Sequence, residues 1–388
     1  MFDLESKFKE IASLSSAGLI KEALSSTSGF LRGERRFDEA FEIDKCLIRH
    51  QFGLPINFKG GTDALNLPQQ HQLEEQLLDL CREIGAAHLE DGQLERGWMY
   101  LQPLMDRQFV ESLFAKIEVD EDNVEELIAI GLGQWAAPRT GYRFLIETRG
   151  TCNAITFFDT QINFQDEQIR SELAGLLVQH VYDELVSNVT AVIVKERKNL
   201  SHETIVAVPL ETIVADHKWI FDSCGHHLDV SHLVSTVRIA RFCQHEHELN
   251  LARQIAIYGE KLEEPLQLHG EPPFEKIFEA HSHYFDGMLN RGGNKCVEYF
   301  SAILQQSKEP LALDTLVKIH IARGQSELAI QTAIEHCEIR ESGAELLEWA
   351  ESKADFEQLK EHYRAQKDLA SYCVATAAQA SIQKKPSH

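Results

Sequence analysis

Proline is scarce, ten in 388 residues. An interior proline removes a helical hydrogen bond and clashes with the preceding turn, so its scarcity leaves room for many long helices. Long apolar runs are also missing. The longest uncharged apolar stretch, roughly Leu127 to Ala137, is far short of the ~20 residues that cross a bilayer. No membrane-spanning segment is expected. The eight cysteines (46, 81, 152, 224, 243, 296, 337 and 373) stand singly, without a CxxC pair. Most fall in apolar helical stretches, where a free thiol acts as a small hydrophobe, and a reduced cytoplasmic protein is the expectation. The opening Met1-Phe2-Asp3-Leu4-Glu5 has no basic segment leading into an apolar one, so no secretory signal is expected. Walker loops, GxSxG elbows and GxGxxG fingerprints are absent, and Gly131-Leu-Gly133 sits inside a helical pattern without a preceding strand.

Basic clusters are lacking as well, apart from Lys384-Lys385 near the end. Against 38 lysines and arginines stand 61 acidic residues, a formal charge of −23. Such a surface repels a polyanion, so neither nucleic acid nor an anionic membrane is an expected partner. Hydrophobic residues make up 43% and charged residues 26%, which suits a folded globular chain. At this length two or three packing units are expected.

What is present is helical periodicity. Phe8, Ile11, Ala12 and Leu14 lead to Gly18, and Leu19, Ile20, Ala23 and Leu24 follow it at the 3.6-residue period. Gly33 precedes a helix carrying Phe37, Ala40, Phe41, Leu47 and Ile48, which Pro55 ends, and residues 53–70 read as a loop. Next, Leu77, Leu80, Cys81, Ile84, Gly85, His88 and Leu89 line one helix face. Asp91-Gly92 makes a turn, and Leu94, Gly97, Trp98, Leu101 and Leu104 line the return helix. The spacing Gly92/Gly97 recurs at Gly18/Ala23 and Gly324/Ala329, and with a bulkier partner at Gly292/Val297. Gly292 and Gly324 lie 324 − 292 = 32 residues apart. This pattern resembles the tetratricopeptide (TPR) repeat, whose period is about 34 residues, over roughly 1–110 and 275–340. It departs from that family where tryptophan or tyrosine is usual on the first helix and proline closes the second.

The centre does not repeat. Val124 to Ala137 reads as an apolar helix stopped before Pro138, and Gly141 to Phe158 as another. Glu167 to about Lys195 reads as one long helix. Its β-branched end, Asn188 to Val194, could instead pair with Thr204 to Val208 as a small hairpin. Helices follow at Leu210–Phe221, Val230–Phe242, Glu248–Leu262 and Phe274–Asn290, then Ala344–Ser352 and Asp355–Ala377. The expected fold is all-α, an irregular superhelix or solenoid of stacked helical hairpins that is TPR-like at both ends. The expected divisions are 1–115, 116–269 and 270–380, with Gly270-Glu-Pro-Pro273 as a linker and 381–388 as a disordered tail.

Potential chemistry concentrates in histidine. Ten of the 18 histidines lie between His202 and His283, where an even spread would give about four. At the centre stands Cys224-Gly-His226-His227-Leu-Asp229-Val-Ser-His232. His227, Asp229 and His232 offer two nitrogens and a carboxylate, a candidate site for a divalent transition metal. His245, His247, His281 and His283 are possible further ligands. Asp229 equally suits the N-cap of the helix that follows, with the histidines on its flank. Cys152, after Arg149-Gly-Thr, reads as a buried structural cysteine or as a nucleophile if a histidine approaches it. Trp98, Tyr100, Trp135, Tyr142 and Phe144 read as packing. In the family this chain resembles, stacked hairpins bind peptides on a concave face. The resemblance therefore implies a cytoplasmic interaction or scaffold protein with a peptide or protein partner. A metal-dependent helical enzyme centred on His226–His232 is the alternative.

Overall fold

The computed structural model describes residues 4–58, 61–197, 202–223, 226–336 and 344–382. It is all-α: among the described residues there is no strand, only one isolated bridge between His269 and Lys276. The chain divides into two compact units, Met1–Gly150 and Thr151–His388. The division falls inside the helical run Pro138–Thr160, at Gly150, whose φ of 77° and ψ of 173° break the helix.

The first unit holds α1 (Leu4–Ser16), α2 (Ile20–Gly33), α3 (Phe37–Gln51), α4 (Leu67–Glu90), α5 (Leu94–Leu101), α6 (Arg107–Phe114), α7 (Val124–Ile128) and the first part of α8 (Pro138–Thr160). Consecutive helices pack on one another from α1 through α5. Two apolar clusters result. Leu31, Ala40, Ile48, Leu73, Leu80 and Ile84 fill one, and Leu89, Leu101, Val110, Phe114, Leu127 and Phe144 the other. Each fully buried leucine or phenylalanine contributes ~1.5–3 kcal/mol relative to leaving it exposed. Prolines open helices here rather than close them. Pro68 lies in the first turn of α4, behind an Asn66–Gln69 capping box, and Pro138 is the first residue of α8. The expected loop is therefore shorter than 53–70. The expected helix Val124–Ala137 is broken by a π-helical turn, Ala129–Gly133, where Gly131 lies so close to Gly141 that a side chain would crowd its backbone.

The second unit holds the end of α8, then α9 (Glu167–Glu196), α10 (His202–Val206), α11 (Leu210–Asp216), α12 (Ile220–Ser223), α13 (Val230–Ile239), α14 (Glu246–Gly259), α15 (Ile277–Met288), α16 (Lys295–Ser307), α17 (Pro310–Ala322), α18 (Ser326–Glu335), α19 (Lys353–Gln366) and α20 (Leu369–Ile382). Asp166 caps α9 by accepting the Ile169 N–H. Helix α9 stays helical through Val189, Thr190 and Ile193, all buried, so 188–194 is helix and no hairpin forms with α10. Being apolar on many sides, α9 is covered by α10, α13, α14 and a short 3-10 turn, Ala240–Phe242. Ala344–Leu347 is a single 3-10 turn rather than a helix reaching Ser352. The stretch expected as one helix from Asp355 is α19 and α20, parted at Lys367. Ser381 belongs to α20, and 383–388 lie outside the described residues.

One turn recurs at helix ends. At Gly18, Gly92 and Gly324 the second residue after the helix has φ between 67° and 76°, and the next N–H reaches back five residues, as from Gln93 to the His88 carbonyl at 2.8 Å. Arg35, Asn290 and Lys367 make the same turn without glycine. At the end of α15 the turn residue is thus Asn290 and not Gly292. The motif is general helix-end chemistry and identifies no repeat family.

Candidate functional site

The segment between α12 and α13 is built around Tyr258 of α14. This tyrosine is fully buried, and its hydroxyl accepts the His227 N–H at 3.0 Å. The same hydroxyl lies 2.7 Å from His227 Nδ1, within hydrogen-bond distance. Phe221 packs edge-on against the imidazole, and Asn188 of α9 donates to the His227 carbonyl at 2.9 Å. The other ring nitrogen, Nε2, is buried and meets no hydrogen-bond partner among the described residues. Burial lowers the His227 pKa, and His226 adds to that effect. The imidazole is thereby favoured in its neutral form, with Nδ1 engaged by the phenol.

Asp229 has a different task. It is the N-cap of α13, accepting the Ser231 N–H at 2.8 Å and its hydroxyl at 2.7 Å. Those hydrogen bonds hold its carboxyl below the usual range. His232 lies on the flank of α13, half-buried. His227, Asp229 and His232 are not drawn together: among the described residues no three His, Cys, Asp or Glu side chains form a metal-holding group. Cys224 lies outside the described residues. The further candidates scatter too. His245 precedes α14 and is exposed, His247 Nε2 meets Gln179 at 3.0 Å, and His283 packs on Tyr299.

Cys152 is exposed, contrary to the buried reading. The left-handed break at Gly150 resets the helix, so Thr151, Ala154, Ile155 and Phe158 turn inward and Cys152 outward. Cys243 and Cys296 are buried, whereas Cys373 is exposed.

Polar clusters that the sequence did not mark lie elsewhere. In the first unit, Asp38 of α3 gathers His88 of α4, Tyr100 of α5 and Arg96 of α5. His88 Nε2 lies 3.0 Å from Oδ1, and the Tyr100 hydroxyl donates to the same oxygen at 2.9 Å. Arg96 donates to Oδ2 at 2.6 Å. The imidazole stacks on Tyr100 at 5.5 Å. A histidine between a carboxylate and a hydroxyl suggests relay chemistry, but His88 is 1% exposed and its Nδ1 has no protein partner. The cluster pins three helices in register.

In the second unit, Phe274 of the 269–276 loop lies between His281 and Arg241. His281 is buried, stacks on Phe274 at 4.4 Å and donates from Nδ1 to the Ile277 carbonyl at 2.7 Å. Burial pushes its pKa down to about 3, and the Arg241 and Arg238 charges act in the same direction. Tyr284 is buried beside it, its hydroxyl pushed up to about 12 by desolvation. Residues of this loop also line a groove of about 320 Å³, walled by Pro272, Pro273, Tyr299, Ala302 and Ile303. Glu275, Lys276, Gln306 and Ser307 complete its lining.

The chain matches no protein-family model, no curated protein and no solved structure. Among the described residues, no helix is long and apolar enough to cross a membrane.

Proposed function

We propose that the protein is an interaction module, and that its second unit docks a short basic segment of a partner protein in the groove beside the 269–276 loop. The supporting observation is the charge around Tyr299. Burial, and then Glu279, Glu275 and Glu260 in that order, push this phenol up to about 12. Lys276 offers little counterweight because Glu279 holds it at 2.9 Å. An apolar floor of proline, tyrosine and isoleucine under an acidic rim suits an aliphatic side chain flanked by lysine or arginine. The overall charge of −23 steers such a segment toward the protein. The cytoplasm remains the proposed location.

The test is fluorescence anisotropy with two labelled peptides of equal length, a leucine flanked by lysines and the same leucine flanked by glutamates. The lysine peptide should bind saturably and lose affinity steeply with salt, while the glutamate peptide should not bind. Ile303→Ser should weaken the lysine peptide several-fold, by removing apolar contact from the floor without changing the charge. Equal binding of both peptides, or an unchanged Ile303→Ser variant, would overturn the reading.

A further inference from the structure

Arg32, Arg253 and Arg241 each draw a guanidinium well into the protein, and the first two show what that ordinarily requires. Arg32 is held by Asp44 at 2.8 Å and Glu83 at 3.0 Å. Arg253 is held by Glu211 at 2.7 Å and Asp286 at 2.5 Å. Two carboxylates in each case replace the water lost on burial. Arg241 has none among the described residues. Its Nε donates to the Arg238 carbonyl at 3.2 Å, and its plane lies over the Phe274 ring at 4.6 Å. Neither Nη has an acceptor among the described residues.

The surroundings make the missing partner more conspicuous. Arg238 stands one turn before Arg241, and its own partner, Asp159 at 2.7 Å, is occupied in that pair. One residue further on, Arg170 lies over the Phe242 ring at 5.1 Å, and its buried Nε also lacks a partner. Behind Arg241 are the neutral His281 and the Tyr284 hydroxyl, which donates to the Arg241 carbonyl at 3.4 Å. Whereas carboxylates raise the pKa of Arg32 and Arg253, burial lowers that of Arg241, and the Arg238 charge adds to that effect. In a chain with 61 acidic residues against 38 basic ones, a desolvated guanidinium without a carboxylate is a site short of one negative charge.

We infer that Arg241 binds an oxyanion, a phosphoryl or carboxylate group carried by a small ligand. Its two Nη groups grip the oxyanion as a fork, and Phe274 holds the guanidinium plane in place. A planar fork with both outer nitrogens open matches two oxygens of one anion, and the ring behind it limits the conformational freedom lost on binding. The site belongs to the second unit, and it does not depend on peptide docking in the neighbouring groove.

Thermal melting of the full chain tests this. Sodium phosphate or sodium acetate is titrated at ionic strength held constant with sodium chloride. One of the two salts should raise the melting temperature saturably, and which one does so separates phosphoryl from carboxylate. Arg241→Met keeps the packing on Phe274 and removes the fork, so it should abolish the rise. Arg241→Lys keeps the charge and should weaken the anion at least tenfold, which preserves the test should the methionine variant not fold. In parallel, the phosphorus-31 resonance of inorganic phosphate should broaden with the wild-type protein if phosphate is the anion bound. A wild-type melting temperature that neither salt raises above the chloride control would overturn the assignment. So would a rise of equal size and midpoint in Arg241→Met or Arg241→Lys.

Discussion

The carbonyl oxygen of Gly85 lies 3.0 Å from where a Cβ would stand on Gly97, and the Gly97 carbonyl lies 3.0 Å from the equivalent point on Gly85. Helices α4 and α5 therefore meet backbone to backbone, with Leu101 and Leu89 closing over the contact. A methyl group on Gly97 would come within 2.5 Å of Leu89 Cδ2. Gly97→Ala should cost ~1–3 kcal/mol and Gly97→Leu more, since the backbone cannot yield as a side chain does. Gly29 is the control. It is helical with open space around it, so Gly29→Ala should be neutral or stabilising by up to ~1 kcal/mol. Urea denaturation of the three variants checks this, and a wild-type midpoint for Gly97→Leu would be incompatible with the contact.

At the start of α13, Asp229 acts through one carboxylate oxygen on Ser231. Serine caps a helix about as well as aspartate does. Asp229→Ser should therefore melt like the wild type, while Asp229→Ala should lose ~1 kcal/mol. Elemental analysis of protein purified without a histidine tag supplies the chemical side of the test. A stoichiometric metal lost in both variants would restore a ligand role for Asp229 and refute the purely capping one.

The buried histidines make stability depend on pH with a definite sign. His281 is neutral in the fold, with its pKa pushed down to about 3 from an ordinary value near 6.5. Between those values the unfolded chain binds the extra proton, so the contribution of His281 is complete above about pH 6.5 and falls as the pH drops toward 3. The His227 pKa is lowered as well and adds a loss of the same sign. His281→Phe keeps a flat ring against Phe274 and removes the titration. Its stability relative to wild type should improve steadily on acidification below pH 6.5, measured as urea midpoints across pH 4 to 8. Parallel curves for the two proteins would show that the fold does not lower the His281 pKa.

Asp38 accepts hydrogen bonds from three side chains on two other helices, and His88 is buried beneath it. Removing the carboxylate leaves a buried imidazole nitrogen without a partner. Asp38→Ala should therefore cost ~2–4 kcal/mol, and Tyr100→Phe, which deletes a single donor, ~1–2 kcal/mol. The double variant should cost less than the sum, because both changes remove the same hydrogen bond. Additive losses in a double-mutant cycle would show that the two residues do not act through one another.

Much of the helical architecture was legible because apolar residues recur with the helical period, and because glycine marks a left-handed turn where it stands at Gly18, Gly92 and Gly324. Gly85 and Gly97 were legible as residues of two consecutive helices joined by the Gly92 turn. The turns at Arg35, Asn290 and Lys367 were hidden, since nothing in those side chains signals a positive φ. Pro68 and Pro138 misled because proline suits the first turn of a helix as well as the loop before it. Cys152 was misplaced because its apolar neighbours suggest a core, while the break at Gly150 two residues earlier decides which way it faces. Asp229 could be read as a cap from its position alone. The partnerless state of Arg241 could not, since a missing ion pair is a property of the whole folded chain.

The three turns without glycine also bear on the handling of this protein. Lys367 holds φ at 59°, Arg35 at 55° and Asn290 at 52°, a backbone region where a side chain crowds the following carbonyl. Glycine would relieve that crowding, though it gives up some of the gain to a more flexible unfolded chain. Asparagine tolerates the region best, so the margin is widest at Lys367 and Arg35. Those two positions form a reserve of thermal tolerance, open to an engineer who needs a sturdier starting protein before substituting Arg241 or the residues of the peptide groove.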